Sequence, residues 1–299
     1  MANPGGPVEE FQISVTETTF LTLEPIPETL RRSVVPLVEA FQTDEGDVII
    51  EPVGTAFVLS RLASGQTLLA TANHNIPEGS LPEGRKLVIL LPRPGTNGSA
   101  LMGLGVSGIS RYESSSDVAL MATAIDDSVM TPVLMPLSLE IPQVGENCLA
   151  LGYSQLTIGK ATGFETQALV RLSSSRGTIE EVYPSRRDSV KVTFPSFRTD
   201  AFYEQGMSGG PVFGMSGGVI GLVSTCMEST HDGVPHTSHV ALTAGLLELG
   251  IPEEALSECR IGDLVAAGWL RLVREKTTTI TRSEDGTVTV TWPDEGIPS

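Results

Sequence analysis

Between Val34 and Leu242 the chain is a succession of short β-branched and aliphatic runs, separated by Gly, Pro, Asp or Ser, with no helical periodicity between them. The runs begin with Val34–Val38, Asp47–Ile50, Gly54–Leu59, Thr67–Thr71, Lys86–Leu91, Leu101–Val106 and Val118–Met121. After a Pro-rich connection over Thr131–Gly145 they resume with Asn147–Tyr153, Phe164–Arg171, Gly177–Tyr183, Ser189–Phe194, Pro211–Phe213, Val219–Ser224 and His239–Leu242. Each reads as a strand. Strands at this spacing without intervening helices point to a sandwich or closed barrels and argue against a βα-alternating sheet. The 31 glycines and 20 prolines supply the many turns such a fold needs.

The expected organisation is an N-terminal arm over 1–31, a first β unit over 32–135, a second over 136–246 and an extension over 247–299. In the extension, Leu256, Ile261, Leu264, Val265 and Leu272 recur at helical spacing and predict a helix over Glu253–Arg274. A hairpin follows, with Thr277–Arg282 and Thr287–Trp292 flanking the turn Ser283–Gly286.

Nineteen basic against 36 acidic residues leave a formal charge of −17. That balance argues against nucleic acid and anionic membrane surfaces, both of which require clustered Lys and Arg. No basic, apolar leader and no run of apolar residues long enough to span a bilayer is visible. The three cysteines Cys148, Cys226 and Cys259 are odd in number and far apart, which fits reduced thiols. A cytoplasmic location is the expectation.

The pentapeptide Gly206-Met-Ser-Gly-Gly210 recurs as Gly214-Met-Ser-Gly-Gly218. Both copies match G-x-S-x-G, but neither runs into the helix that the nucleophile elbow of an α/β-hydrolase requires. The second copy lies between two adjacent strands, where Gly and Ser serve a hairpin turn. The first follows the polar stretch Arg198–Gln205 and sits on a loop that can turn backbone N–H groups inward. Alone, Ser208 reads as a turn serine. Two further residues change its weight. His74 ends Thr71-Ala-Asn-His74 at the mouth of a strand, and Asp117 directly precedes the apolar run Val118–Met121. A carboxylate there is partly buried and must find a donor; the bland reading is a strand-entry cap, the functional one an anchor for an imidazole.

Gly54-Thr-Ala-Phe, Thr71-Ala-Asn-His74, Asp117-Val-Ala-Leu and Gly206-Met-Ser-Gly-Gly-Pro-Val-Phe213 resemble, in order, the landmarks of trypsin-like serine peptidases of the chymotrypsin fold. The bacterial HtrA-like branch is the most similar, and Leu151-Gly-Tyr153 matches a strand signature of that group. Asp117 follows His74 by 43 positions and Ser208 follows Asp117 by 91, so the order is His, Asp, Ser. The resemblance covers about residues 33–246 and implies an all-β fold of two six-stranded antiparallel barrels with the site between them. It implies a serine endopeptidase with Ser208 as nucleophile, His74 as general base and acid, and Asp117 fixing the imidazole. The oxyanion hole falls to the N–H groups of Gly206 and Ser208, and an extended substrate backbone to Val223, Ser224 and Thr225. The pocket floor falls near Phe202 and Tyr203, with Asp200 close by and His231, His236 and His239 as candidates to receive an acidic side chain. No cofactor or metal is expected, since the histidine spacing matches no zinc pattern. Proteins or peptides are the implied partners, one dedicated partner protein among them.

The resemblance departs in two places. Met207 stands where digestive members carry an aspartate that pairs with a new N-terminus, and the 53 residues after 246 do not resemble the PDZ domain of HtrA-like enzymes. A catalytically silent scaffold or partner-binding module, and an esterase-like acyl hydrolase with the same triad, are the alternative readings.

Overall fold

A computed structural model describes residues 15–20, 28–43, 48–78, 84–93, 101–111, 116–129, 131–158, 166–227, 237–273, 279–282 and 288–291. The fold is all-β, with two antiparallel barrels in succession. Strands β1 (Val15–Phe20), β2 (Val34–Gln42), β3 (Val48–Arg61), β4 (Gln66–Thr71), β5 (Arg85–Pro92), β6 (Leu101–Gly105), β7 (Gly108–Arg111) and β8 (Ala119–Ala124) make up the N-terminal half. Pairing runs β6-β5-β2-β3-β4-β8-β7. The ring closes because β6 and β7 are one strand broken at Val106–Ser107, where the Ser107 N–H donates to the Ala122 carbonyl (2.8 Å).

The second barrel consists of β9 (Asn147–Ile158), β10 (Thr166–Tyr183), β11 (Ser196–Thr199), β12 (Pro211–Phe213), β13 (Val219–Met227) and β14 (Thr237–Leu242). It closes directly, since β10 pairs with both β9 and β11. β1 pairs in parallel with β10 and touches β6 at Leu101, a backbone link between the barrels.

Successive residues of the first barrel alternate between two buried clusters, as the two-residue strand period requires. Val58, Leu69, Ile89 and Met121 belong to one, and Phe57, Leu68, Leu90 and Leu120 to a larger one continuous with Leu151, Tyr153 and Leu222 of the second barrel. The barrels therefore share a core, and the loops at their junction are held between two packed bodies.

Two local expectations are corrected. Ser189–Phe194 is a turn, because the Asp188 carboxylate accepts the N–H groups of Val190 (2.8 Å), Lys191 (2.6 Å) and Val192 (3.2 Å) that a ladder would need. The missing strand is β11, immediately after it. In the extension, the helix is only α2 (Ile261–Ala266); a 3₁₀ turn over Glu254–Leu256 precedes it, and Gly268 at φ +74° follows. The arm contributes β1 and a short helix, α1 (Glu28–Arg31). The terminal strands β15 (Thr279–Arg282) and β16 (Val288–Thr291) pair as a hairpin, its turn lying outside the described residues. Among the described residues no helix is long and apolar enough to cross a membrane.

Candidate active site

β4 ends at Thr71, and the chain turns through a 3₁₀ helix over Asn73–Asn75 that carries His74. β8 begins just after Asp117, whose side chain is almost fully buried. Their pairing across β4 and β8 brings Thr71 opposite Ala119, which sets histidine and aspartate side by side. The His74 Nδ1–H donates to both carboxylate oxygens of Asp117 (3.0 Å to Oδ1, 2.9 Å to Oδ2), and the His74 backbone N–H donates to Oδ1 (3.1 Å). A carboxylate only accepts, so Nδ1 carries the proton and the Nε2 lone pair is left available. Burial lowers the His74 pKa, but the hydrogen bond and the negative charge of Asp117 together outweigh it, so the group lies above its ordinary value.

Ser208 comes from the second barrel, on the loop between β11 and β12. It shares with His74 and Asp117 a cavity of about 1020 Å³ at the barrel junction. Its hydroxyl donates to the Ser224 carbonyl (3.2 Å). The Ser224 hydroxyl in turn donates to Asp117 Oδ2, so β13 ties the carboxylate to the second barrel. Along the loop the N–H groups of Met207, Gly209 and Gly210 donate to the carbonyls of Glu204, Val223 and Met207. Those of Gly206 and Ser208 have no acceptor among the described residues, and both residues line the cavity. Two unpaired donors, two positions apart, are what an oxyanion requires.

The loop is clamped from the first barrel by residues that sequence reasoning left unassigned. The Ser208 carbonyl accepts from the Thr55 N–H (2.8 Å) and from Asn75 Nδ2 (2.8 Å). The Thr55 hydroxyl donates to the Gly206 carbonyl (2.8 Å) and receives the Tyr153 N–H (2.8 Å). Asn75 Nδ2 also donates to the Thr71 hydroxyl (3.0 Å), which donates to the Thr55 carbonyl (2.7 Å). The cluster fits because two positions carry no Cβ. At Gly54 one would collide with the Asn75 amide, and at Gly209, where φ is +83°, with the Thr55 carbonyl. Met207 packs in the second barrel's core beside Gly152, so apolar burial and the Thr55 clamp hold this loop without an ion pair. Replacing Asn75 with leucine should leave the buried Thr71 hydroxyl and Ser208 carbonyl short of a donor. The expected cost is about 1–3 kcal/mol, read as a lower urea midpoint at unchanged slope.

The remaining expected site residues divide. Val223, Ser224 and Thr225 line the cavity, as does Tyr203, whose fully buried phenol is pushed well above its ordinary pKa by burial. Phe202 is 43% exposed and outside the lining. Asp200 also lies outside it, its carboxylate accepting the Thr178 N–H (2.6 Å). His239 is fully buried in β14 beside the Tyr183 ring and the Arg187 guanidinium; burial and then the positive charges of Arg187 and Arg198 push it down to about 4, so it stays neutral, and it lies outside the cavity lining. His231 and His236 lie outside the described residues. Ser216, in the second pentapeptide, sits in the β12–β13 turn, where its hydroxyl accepts the Gly218 N–H (3.5 Å). No group of three metal-ligating side chains occurs among the described residues.

Residues 54–222, more than half the chain, match the trypsin-like peptidase domain. The chain belongs to the trypsin-like peptidase family. The matched residues run from within β3 to within β13 and take in His74, Asp117 and Ser208. The crystal structure of the Rv3671c protease from M. tuberculosis, active form, is similar at 18% identity, covering 88% of this chain and 94% of that one with a TM-score of 0.47. The MamO protease domain from Magnetospirillum magneticum, apo form, is similar at 14% identity over 72% of this chain and 94% of that one, with a TM-score of 0.43. No curated protein matches this trypsin-like chain.

Proposed function

We propose that this chain is a serine endopeptidase acting through an acyl-enzyme on Ser208. The observation that supports it best is the Nδ1–H of His74 bound to both oxygens of Asp117, in one cavity with Ser208 and the unpaired N–H groups of Gly206 and Ser208. A serine hydroxyl is a weak nucleophile until a base takes its proton. Rotation of the Ser208 side chain off the Ser224 carbonyl offers that proton to His74 Nε2. Oγ then bonds to the substrate carbonyl carbon, and the carbonyl π-electrons move to oxygen, which the two N–H groups receive. The imidazolium, stabilised by Asp117, gives its proton to the leaving amine as the C–N bond breaks. Water, deprotonated by the same imidazole, attacks the ester and releases the acid and the serine.

A serine-directed fluorophosphonate probe should label the folded protein, and peptide profiling should then show cleavage of amide bonds. Labelling with ester cleavage only would assign an acyl hydrolase instead. One observation favours a silent, partner-binding scaffold: the Ser208 hydroxyl rests on the Ser224 carbonyl. Absence of labelling on folded protein would decide for that reading.

The charge state of His74 sets the pH dependence. Only the neutral imidazole accepts the proton, and Asp117 holds the cationic form to higher pH than a free histidine. The labelling rate should therefore rise with pH through a midpoint above 6.5. A profile flat from about pH 5 to 8 would remove His74 as the base.

A further inference from the structure

Among the described residues the cavity around Ser208 is lined by two carboxylates and one lysine. Asp117 is engaged by His74 and Ser224, and Glu204 faces Arg171 at 3.9 Å. Among the described residues Lys191 has neither an ion pair nor a side-chain hydrogen bond, so its charge is uncompensated by any of them.

Its backbone is fixed. The Asp188 carboxylate caps the turn by accepting the N–H groups of Val190, Lys191 and Val192, and the Val192 carbonyl receives the N–H groups of Arg187 and Asp188 (both 3.1 Å). Val192 and Phe194, on either side of the cavity-lining Thr193, are anchored in the core. The same backbone N–H groups, Lys191's first, hold the Asp188 carboxyl below its usual range, so the cap persists across neutral pH. β13 lines the same cavity from Val223 to Cys226, with Phe194, Tyr203 and Val223 as apolar lining.

We propose that Lys191 selects peptides carrying a carboxylate side chain in the segment laid along β13. The inference rests on the peptidase reading and names its substrate class. The net charge of −17 does not oppose it, because charges farther off than a Debye length, about 8 Å at physiological salt, are largely screened, whereas an ammonium within the cleft meets its partner at contact. No histidine is needed: His239 is buried and neutral.

The test is a set of internally quenched peptides with Glu, Gln or Lys at each position around the cut, given to the wild type and to Lys191→Glu. At one position the wild type should prefer Glu to Gln by about tenfold in kcat/KM and disfavour Lys, and 1 M NaCl should shrink that ratio. Lys191→Glu should invert the order, favouring Lys. Cleavage with a Glu-to-Gln ratio that Lys191→Glu leaves unchanged overturns the proposal while the peptidase reading stands. The same peptides, fluorescently tagged and titrated into Ser208→Ala, read selectivity without chemistry. Lys191-dependent binding of the Glu peptide there, together with a wild type that cuts none, supports the selectivity and overturns the peptidase reading instead.

Discussion

Replacing Ser208 with alanine should abolish turnover, with kcat falling about 10⁶-fold, the scale seen when a triad nucleophile is removed. The neighbouring Ser224 hydroxyl is no substitute, because it already donates to Asp117. Ser216→Ala is the matched control. It alters a verbatim copy of the same pentapeptide, in a surface turn beside Met215, which is 71% exposed. Its activity should stay within about twofold of wild type, as for other surface substitutions. Full activity in Ser208→Ala, or loss in Ser216→Ala with the fold intact by circular dichroism, would reverse the assignment.

Asp117→Asn should lower kcat by about 10⁴-fold with KM little changed. The carboxamide turns one acceptor oxygen into a donor. It can no longer receive Nδ1–H through both atoms, so the imidazole shifts tautomer and presents Nε2–H, a donor, to the serine. The same change moves the histidine's titration. The two contributions that raise His74 both come from Asp117, whereas burial, which lowers it, remains. The acid limb of the residual activity, or the imidazole resonance followed by NMR, should therefore fall below 6.5. A mutant whose titration stays above that value would show that another group holds the imidazolium.

Local pattern carried far where strands obey the two-residue period. β2, β5, β8 and β12 lie where their β-branched and apolar runs begin and end within a few residues. It failed where a side chain captures the backbone. Ser189–Phe194 alternates as a strand should, yet one carboxylate, Asp188, takes three of its N–H groups. It failed again over Glu253–Arg274, where helical spacing of apolar residues is real but the chain stops and starts in short turns around α2 to pack Ile251, Ile261 and Leu264 against the barrels. The asparagine beside His74 could have been singled out, since a polar residue between His74 and the apolar Ile76 must find buried partners. Thr55 gave no such signal.

The order and chemical types of His74, Asp117 and Ser208, the strand-rich pattern, and the difference between the two pentapeptides are properties of the linear chain, because strand period, turn residues and motif spacing are all local. Which groups meet was decided only by closing two barrels on a common core. That packing places the amide of Asn75 under a carbonyl 133 positions away and the Ser224 hydroxyl on Asp117. It buries His239 and leaves Lys191 beside the cleft with no counter-ion among the described residues. Such contacts depend on register and barrel closure, through which residues remote in sequence become neighbours, and no short window of sequence contains that information.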